Sequence, residues 1–252
     1  MPSEFKDILD YNVTLGALRA ILNILLTEKQ VDMDFLRRNV AINKFDLIDH
    51  SINFLKKLQV VKISSKYVIS NISPDDLGTL RAVIINRFTV SNDPYIRYLI
   101  SFLDNFLSAK EYYEPGQVWH MLANARSKEN VKSPREELSF KFRMLIRHLK
   151  ELGLAITFKK FIIPIVDPSL ILEIVNNMQF SRGSIYELMS NIRNRYLPCC
   201  DHYGKPYGPI VKSFESLESL GFLKLSSKSD AGLEYSIGGK KCNFLEVIKL
   251  EN

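Results

Sequence analysis

The chain lacks most of the features that announce a chemistry. Only three cysteines occur in 252 residues, Cys199, Cys200 and Cys242. Two are adjacent and the third is distant, which excludes a disulfide framework and predicts reduced thiols in a cytoplasmic protein. The four histidines (His50, His120, His148 and His202) lie in unrelated contexts, and no CxxC or HxxxH spacing occurs, so no metal site is expected. Apolar runs such as Phe161–Val166 fall far short of the ~20 residues a membrane helix needs. The opening MPSEFKDILD carries acids early, unlike the basic-then-apolar layout of a secretory leader. No GxSxG is present, and Gly204-Lys205 lacks the strand and glycine spacing of a phosphate loop. No catalytic residue and no cofactor are expected, and the chain reads as a non-enzyme.

What is present is an ordinary soluble composition, 46% hydrophobic and 25% charged, with too little glycine and proline for disorder. The net charge of +6 is compatible with a polyanionic partner without requiring one. Its distribution says more. Residues 1–76 carry ten basic and ten acidic side chains, residues 77–175 carry 14 and 10, and residues 176–252 carry 10 and 8. The basic excess lies in the middle.

One pattern returns three times. It reads Ile52-x-x-Leu55-x-x-Leu58-Gln59-Val60, then Ile146-x-x-Leu149-x-x-Leu152-Gly153-Leu154, then Phe214-x-x-Leu217-x-x-Leu220-Gly221-Phe222. Each copy is an apolar helix face, a stop and then an alternating run that turns back: VKISSKYVIS, AITFKKFIIP and LKLSSKSDAGLEYSI. A repeated apolar frame signals a repeated structural unit. Ahead of the first copy, helical spacing predicts Thr14–Leu26, a short helix over Asp32–Val40, and a third helix capped by Asn43. Ser73-Pro74-Asp75-Asp76 starts a bridging helix, Leu77–Phe88, and Asp93-Pro94 starts another that runs to about Ala109. A short helix follows around Val118–Ala125, with Ala125–Lys132 as an exposed basic loop. Ser133-Pro134-Arg135-Glu136 is a capping box ahead of the second copy. In the last third, helices are predicted over Ser169–Met178, Ser184–Leu197 and Ile210–Leu220, then a hairpin over Phe222–Ile237 and a strand-like run, Asn243–Leu250.

The repeated ΦxxLxxLGΦ followed by a hairpin resembles the recognition-helix-and-wing half of winged-helix domains. The resemblance implies a helix-rich α+β protein of three tandem winged-helix modules, residues 1–76, 77–166 and 167–252. It implies a fold more firmly than a role. Winged helices mostly bind DNA, and tandem copies also serve as protein scaffolds, as in the kite-type subunits of bacterial condensin-like complexes.

If the chain binds duplex DNA, the middle module is the best reader. Leu138, Phe142, Leu145, Leu149 and Leu152 face the core, which sets Arg143, Arg147 and Lys150 in a stripe opposite. Lys141 and His148 lie on a flank. Arg126, Lys128 and Lys132 stand in the preceding loop, and Lys159 and Lys160 at the ribbon tip. Arg135, Ser139 and Arg143 are nearest to where base edges would be read. Glu136 and Glu137 would oppose phosphates. In the third module Arg193, Arg195 and Lys205 lie beside Tyr203 and Tyr207, an aromatic and basic mixture that can contact nucleic acid. The first module, with Asp46 and Asp49 on its third helix, suits self-association or docking of a partner better. The expected function is non-catalytic double-stranded DNA binding, and the alternative is a protein–protein scaffold.

Overall fold

The computed structural model describes residues 6–40, 45–108, 111–131 and 135–248. The predicted cap Asn43, the capping residues Ser133 and Pro134, and the candidate Lys132 lie outside the described residues. The protein is a helix-rich α+β chain. Its first stretch runs α1 (Leu15–Glu28), β1 (Gln30–Asp32), α2 (Met33–Asn39), α3 (Phe45–Lys57), β2 (Val61–Ser64) and β3 (Tyr67–Ser70). Thr14 caps α1 and Asp32 caps α2, each through a side-chain oxygen that accepts from backbone N–H groups left open by the first turn.

The second stretch opens with α4 (Pro74–Gly78), α5 (Leu80–Val90) and α6 (Pro94–Ser108). The single bridging helix expected over Leu77–Phe88 is thus two helices, broken at Thr79. α5 buries Leu80, Ala82, Val83, Ile84, Ile85 and Phe88, which spread around much of its axis, so the helix packs on more than one side. It packs against α6, α9 (Pro168–Asn177) and α10 (Ile185–Arg195), so the expected linker is a central strut. α7 (Pro115–Lys128), α8 (Arg135–Glu151), β4 (Ala155–Phe158) and β5 (Phe161–Pro164) complete this stretch. α7 reaches three residues beyond its expected end, which places Arg126 inside a helix rather than in an exposed loop.

The last stretch follows α9 with β6 (Arg182–Ser184), α10, α11 (Gly208–Ser219) and β7 (Leu223–Ser226), then β8 (Tyr235–Ile237), β9 (Lys240–Cys242) and β10 (Phe244–Val247). The hairpin predicted over Phe222–Ile237 does not form. β7 pairs with β10, with Leu225 opposite Leu245, and β8 pairs with β9 in a separate hairpin inserted between them.

The same connectivity recurs. In the first sheet β3 lies between β1 and β2, and in the last β10 lies between β6 and β7. In the middle β5 pairs with β4 on one side, and on the other its Ile162 bridges Tyr113, which lies just ahead of α7. Each third helix also ends alike. Gln59, Gly153 and Gly221 have φ of 57°, 74° and 79°. The N–H of the next residue returns to a carbonyl five positions back: Val60 to Leu55, Leu154 to Leu149 and Phe222 to Leu217. This is the left-handed stop that the repeated motif predicts. At Gly153 a Cβ would come within 2.7 Å of the Asp167 Cβ, so glycine is required there for space as well as φ. The buried side chains of all three stretches form one continuous core.

Candidate nucleic-acid interface

The candidate residues gather on α8, and the structure divides them between two flanks of that helix. The inner flank is covered by the chain's own N-terminal segment, a 3-10 turn over Ile8–Asp10 and the residues on either side of it. Lys141 Nζ lies 2.6 Å from Asp10 Oδ1, 2.9 Å from Glu137 Oε1 and 3.4 Å from Asp7 Oδ2. Arg126 pairs with Asp7, and Tyr98 donates its hydroxyl to Asp7 Oδ1 at 2.7 Å. The guanidinium of Arg126 also lies over the Tyr98 ring, 5.0 Å from its centre.

Arg126 is 2% exposed and Lys141 1%, so neither reaches an external phosphate. This corrects two of the expected contacts. The reason is charge compensation. A buried cation is tolerated only with carboxylates around it, and Asp7 and Asp10 supply them from more than 115 positions away in sequence. Burial alone would lower the Arg126 and Lys141 pKa values. Asp7, with Tyr98 at Arg126 and with Asp10 and Glu137 at Lys141, outweighs it and raises both. Burial, then the Asp7 charge, pushes the Tyr98 phenol well above its ordinary value.

The clasp continues along α8. His148 lies between the segment and α3, edge-on to Phe54, and its Nε2 donates to the Tyr11 carbonyl at 3.1 Å. Burial pushes its pKa down to about 4, against the raising effect of that hydrogen bond. Arg147 is half-buried and donates to Asn12 Oδ1, and Glu151 Oε2 accepts from Leu15 N–H at 3.0 Å.

The outer flank is open. Ser139, Phe140, Arg143 and Lys150 are exposed. Arg143 makes no ion pair among the described residues, and Lys150 Nζ donates to Thr157 Oγ1 of β4 at 3.3 Å. That bond ties the helix stripe to the β4–β5 hairpin, whose turn residues Lys159 and Lys160 are exposed. Lys160 also lies 3.6 Å from Glu114 in an exposed pair. Arg135 is the first residue of α8. The expected core positions Leu138, Leu145, Leu149 and Leu152 are buried.

The other candidates lie apart from this stripe. Lys128 is exposed and lines a depression with Asn105 and Asn124. Arg193 is structural: it pairs with Asp104 of α6 at 3.2 Å, donates to the Cys200 carbonyl, and lies 3.4 Å from the Tyr207 hydroxyl. Burial pushes the Tyr207 phenol up to about 12, with the Asp104 carboxylate adding to the shift. Arg195, which ends α10, and Lys205, in the α10–α11 connection, are exposed, and the Tyr203 and His202 rings lie tilted against each other with centres 3.9 Å apart. α11, the third helix of its stretch, is partly covered on its outer side by the β8–β9 hairpin. Glu215 accepts from Gly238 N–H at 2.6 Å and Glu218 pairs with Lys240 at 3.3 Å, so two carboxylates anchor the β8–β9 hairpin over it.

Among the described residues no group of His, Cys, Asp and Glu could hold a metal ion, and no helix is long and apolar enough to cross a membrane. No protein-family model, curated protein or solved structure matches the chain.

Proposed function

We propose that this chain is a tandem winged-helix protein that binds double-stranded DNA without catalysis, through the outer flank of α8 and the β4–β5 wing. The order of helix, strand, two helices and two strands, with the last strand central, supports three winged-helix units at about 1–76, 77–166 and 167–252. It is complete in the first stretch, has a Tyr113–Ile162 bridge in place of the strand in the second, and has a hairpin inserted between the last two strands in the third. One observation carries the choice of surface. Of the three third helices, α8 presents two exposed cations, Arg143 and Lys150, that no carboxylate engages among the described residues, whereas α3 presents one, Lys56, and Lys212 of α11 lies 3.6 Å from Glu111. α3 pairs its Asp49 with Arg37 and turns Phe54 inward, and α11 spends its polar face on a hairpin. In this reading Arg135 and Ser139, in the first turns of α8, would read base edges, and Lys159 and Lys160 would hold phosphates.

The test is duplex binding measured at rising salt. Wild type should bind random duplex with an affinity that falls steeply with salt, and Arg143→Glu with Lys150→Glu should weaken it by at least about tenfold. Lys212→Glu on α11 should leave it within about twofold. Unchanged binding in the double variant removes α8 as the site.

A second reading, the scaffold, is favoured by the clasp itself. One flank of α8 already grips a peptide segment by the ion pairs of buried Lys141 and a hydrogen bond to its backbone, with Arg126 of α7 adding a further pair. A wild-type protein with no salt-sensitive duplex binding would leave that reading in possession.

A further inference from the structure

We infer that the outer face of the β4–β5 hairpin is a stacking platform for unpaired bases, so that the protein favours a duplex continuing into a single-stranded tail. The inference rests on the duplex reading above and extends it. Strand alternation sets Ile156 and Phe158 on one side of β4, and the register places Ile163 and Phe161 beside them on β5. Phe158 is 60% exposed and Ile156 46%, whereas Ala155, Ile162 and Pro164 on the opposite face are buried. Tyr112, 56% exposed, meets Phe161 edge to face with ring centres 5.0 Å apart. A solvent-facing side of an antiparallel hairpin is ordinarily polar, and this one is apolar and aromatic throughout.

The cations say what covers it. Lys159 Nζ lies 5.6 Å from the centre of the Phe158 ring, and Lys160 Nζ 5.4 Å from that of Phe161. An apolar protein segment laid on these rings would strip water from both ammonium groups without pairing them. A nucleotide strand satisfies both features: its bases stack on the rings and its phosphates meet the lysines. Thr157, which accepts from Lys150, points to the opposite face of β4, so the α8 stripe adjoins the same hairpin and a strand leaving the duplex there crosses the hairpin's edge to reach the rings. Glu114 beside Lys160 is an exposed partner that a phosphate can replace.

Fluorescence anisotropy would compare three DNAs on the full chain: a blunt duplex, the same duplex with a tail of about ten nucleotides in either polarity, and that tail made of abasic sites. The abasic tail keeps the phosphates and removes the stacking. The base-bearing tail should bind about tenfold more tightly than the abasic one, roughly the contribution of one stacked base. Phe158→Ala should abolish that difference and leave blunt-duplex affinity within about twofold, and Phe158→Trp should preserve it. Equal affinity for the two tails, or a Phe158→Ala loss equal on all three DNAs, overturns the platform while duplex binding stands. Binding to none of the three overturns both readings.

Discussion

α8 and α11 hold the same place in the chain's repeating order, share the same ΦxxLxxLGΦ frame and end in the same left-handed turn, yet they meet solvent differently. α8 is held along one flank by a segment from the far end of the chain and keeps a basic flank open. α11 is partly covered by the β8–β9 hairpin, inserted after β7 and held by the helix's own glutamates. The shared frame is the buried side of each helix, where shape and apolar area are constrained. The outer sides carry no such constraint, so one fold can present an open basic flank in one copy and a flank partly covered by a hairpin in another.

The largest expected effect tests the clasp. Asp7→Asn removes the carboxylate shared by Arg126 and Lys141 and should cost about 3–5 kcal/mol of stability, read from urea unfolding. A loss below about 1 kcal/mol would mean that the inner flank of α8 is held by apolar packing alone.

Next comes His148. Its pKa is lowered in the fold, to about 4, so the unfolded chain takes up the proton first. Stability from the neutral ring is complete above the unfolded value of ~6.5 and is lost as pH falls from there toward 4, about 3 kcal/mol in all. His148→Gln stays neutral throughout and should show a shallower decline than wild type between pH 6.5 and 4.5, with both followed by urea unfolding. Parallel curves would contradict a buried neutral ring.

The open flank is tested by salt. Arg143→Ala with Lys150→Ala should reduce the slope of log affinity against log salt by about 1.8, which is ~0.9 for each of the two phosphates no longer neutralised. An unchanged slope would erase the contrast with α11. The smallest effect is on α11 itself. Glu215→Ala frees Gly238 N–H at an exposed site and should cost about 1 kcal/mol or less, while limited proteolysis should now cut within the β8–β9 hairpin. Resistance equal to wild type would mean that the hairpin is held by Ile237 and Tyr235 in the core, with the glutamate incidental.

The sequence was most legible where chemistry is local. Thr14 and Asp32 cap the helices they were expected to start, and Ser73-Pro74 starts a helix, though the shorter α4, because a cap needs only its next few residues. Leu138, Leu145, Leu149 and Leu152 face inward as their spacing requires. The three-residue strands β1 and β6 were not legible, since each is too short to show alternation and is defined by a partner tens of residues away. The misplaced last hairpin has the same cause: β7 had two possible neighbours, and the nearer one was wrong. At the candidate site, Arg143 and Lys150 were placed on the surface by periodicity alone, whereas Lys141 and Arg126 gave no sign of being interior. The single hint was an N-terminus with Asp7 and Asp10 among apolar residues, an acidic pair with no local cation suited to it.

By itself the sequence determined the repeating frame, the helix starts and stops, and the surplus of positive charge in the middle third, because each depends on neighbours within about one or two turns. Tertiary structure decided which of those charges face solvent. Whether a lysine on a helix flank is a ligand-binding group or a buried ion depends on what packs against that flank. For Lys141 the partner is a carboxylate 131 positions away, brought close only when the whole chain has folded.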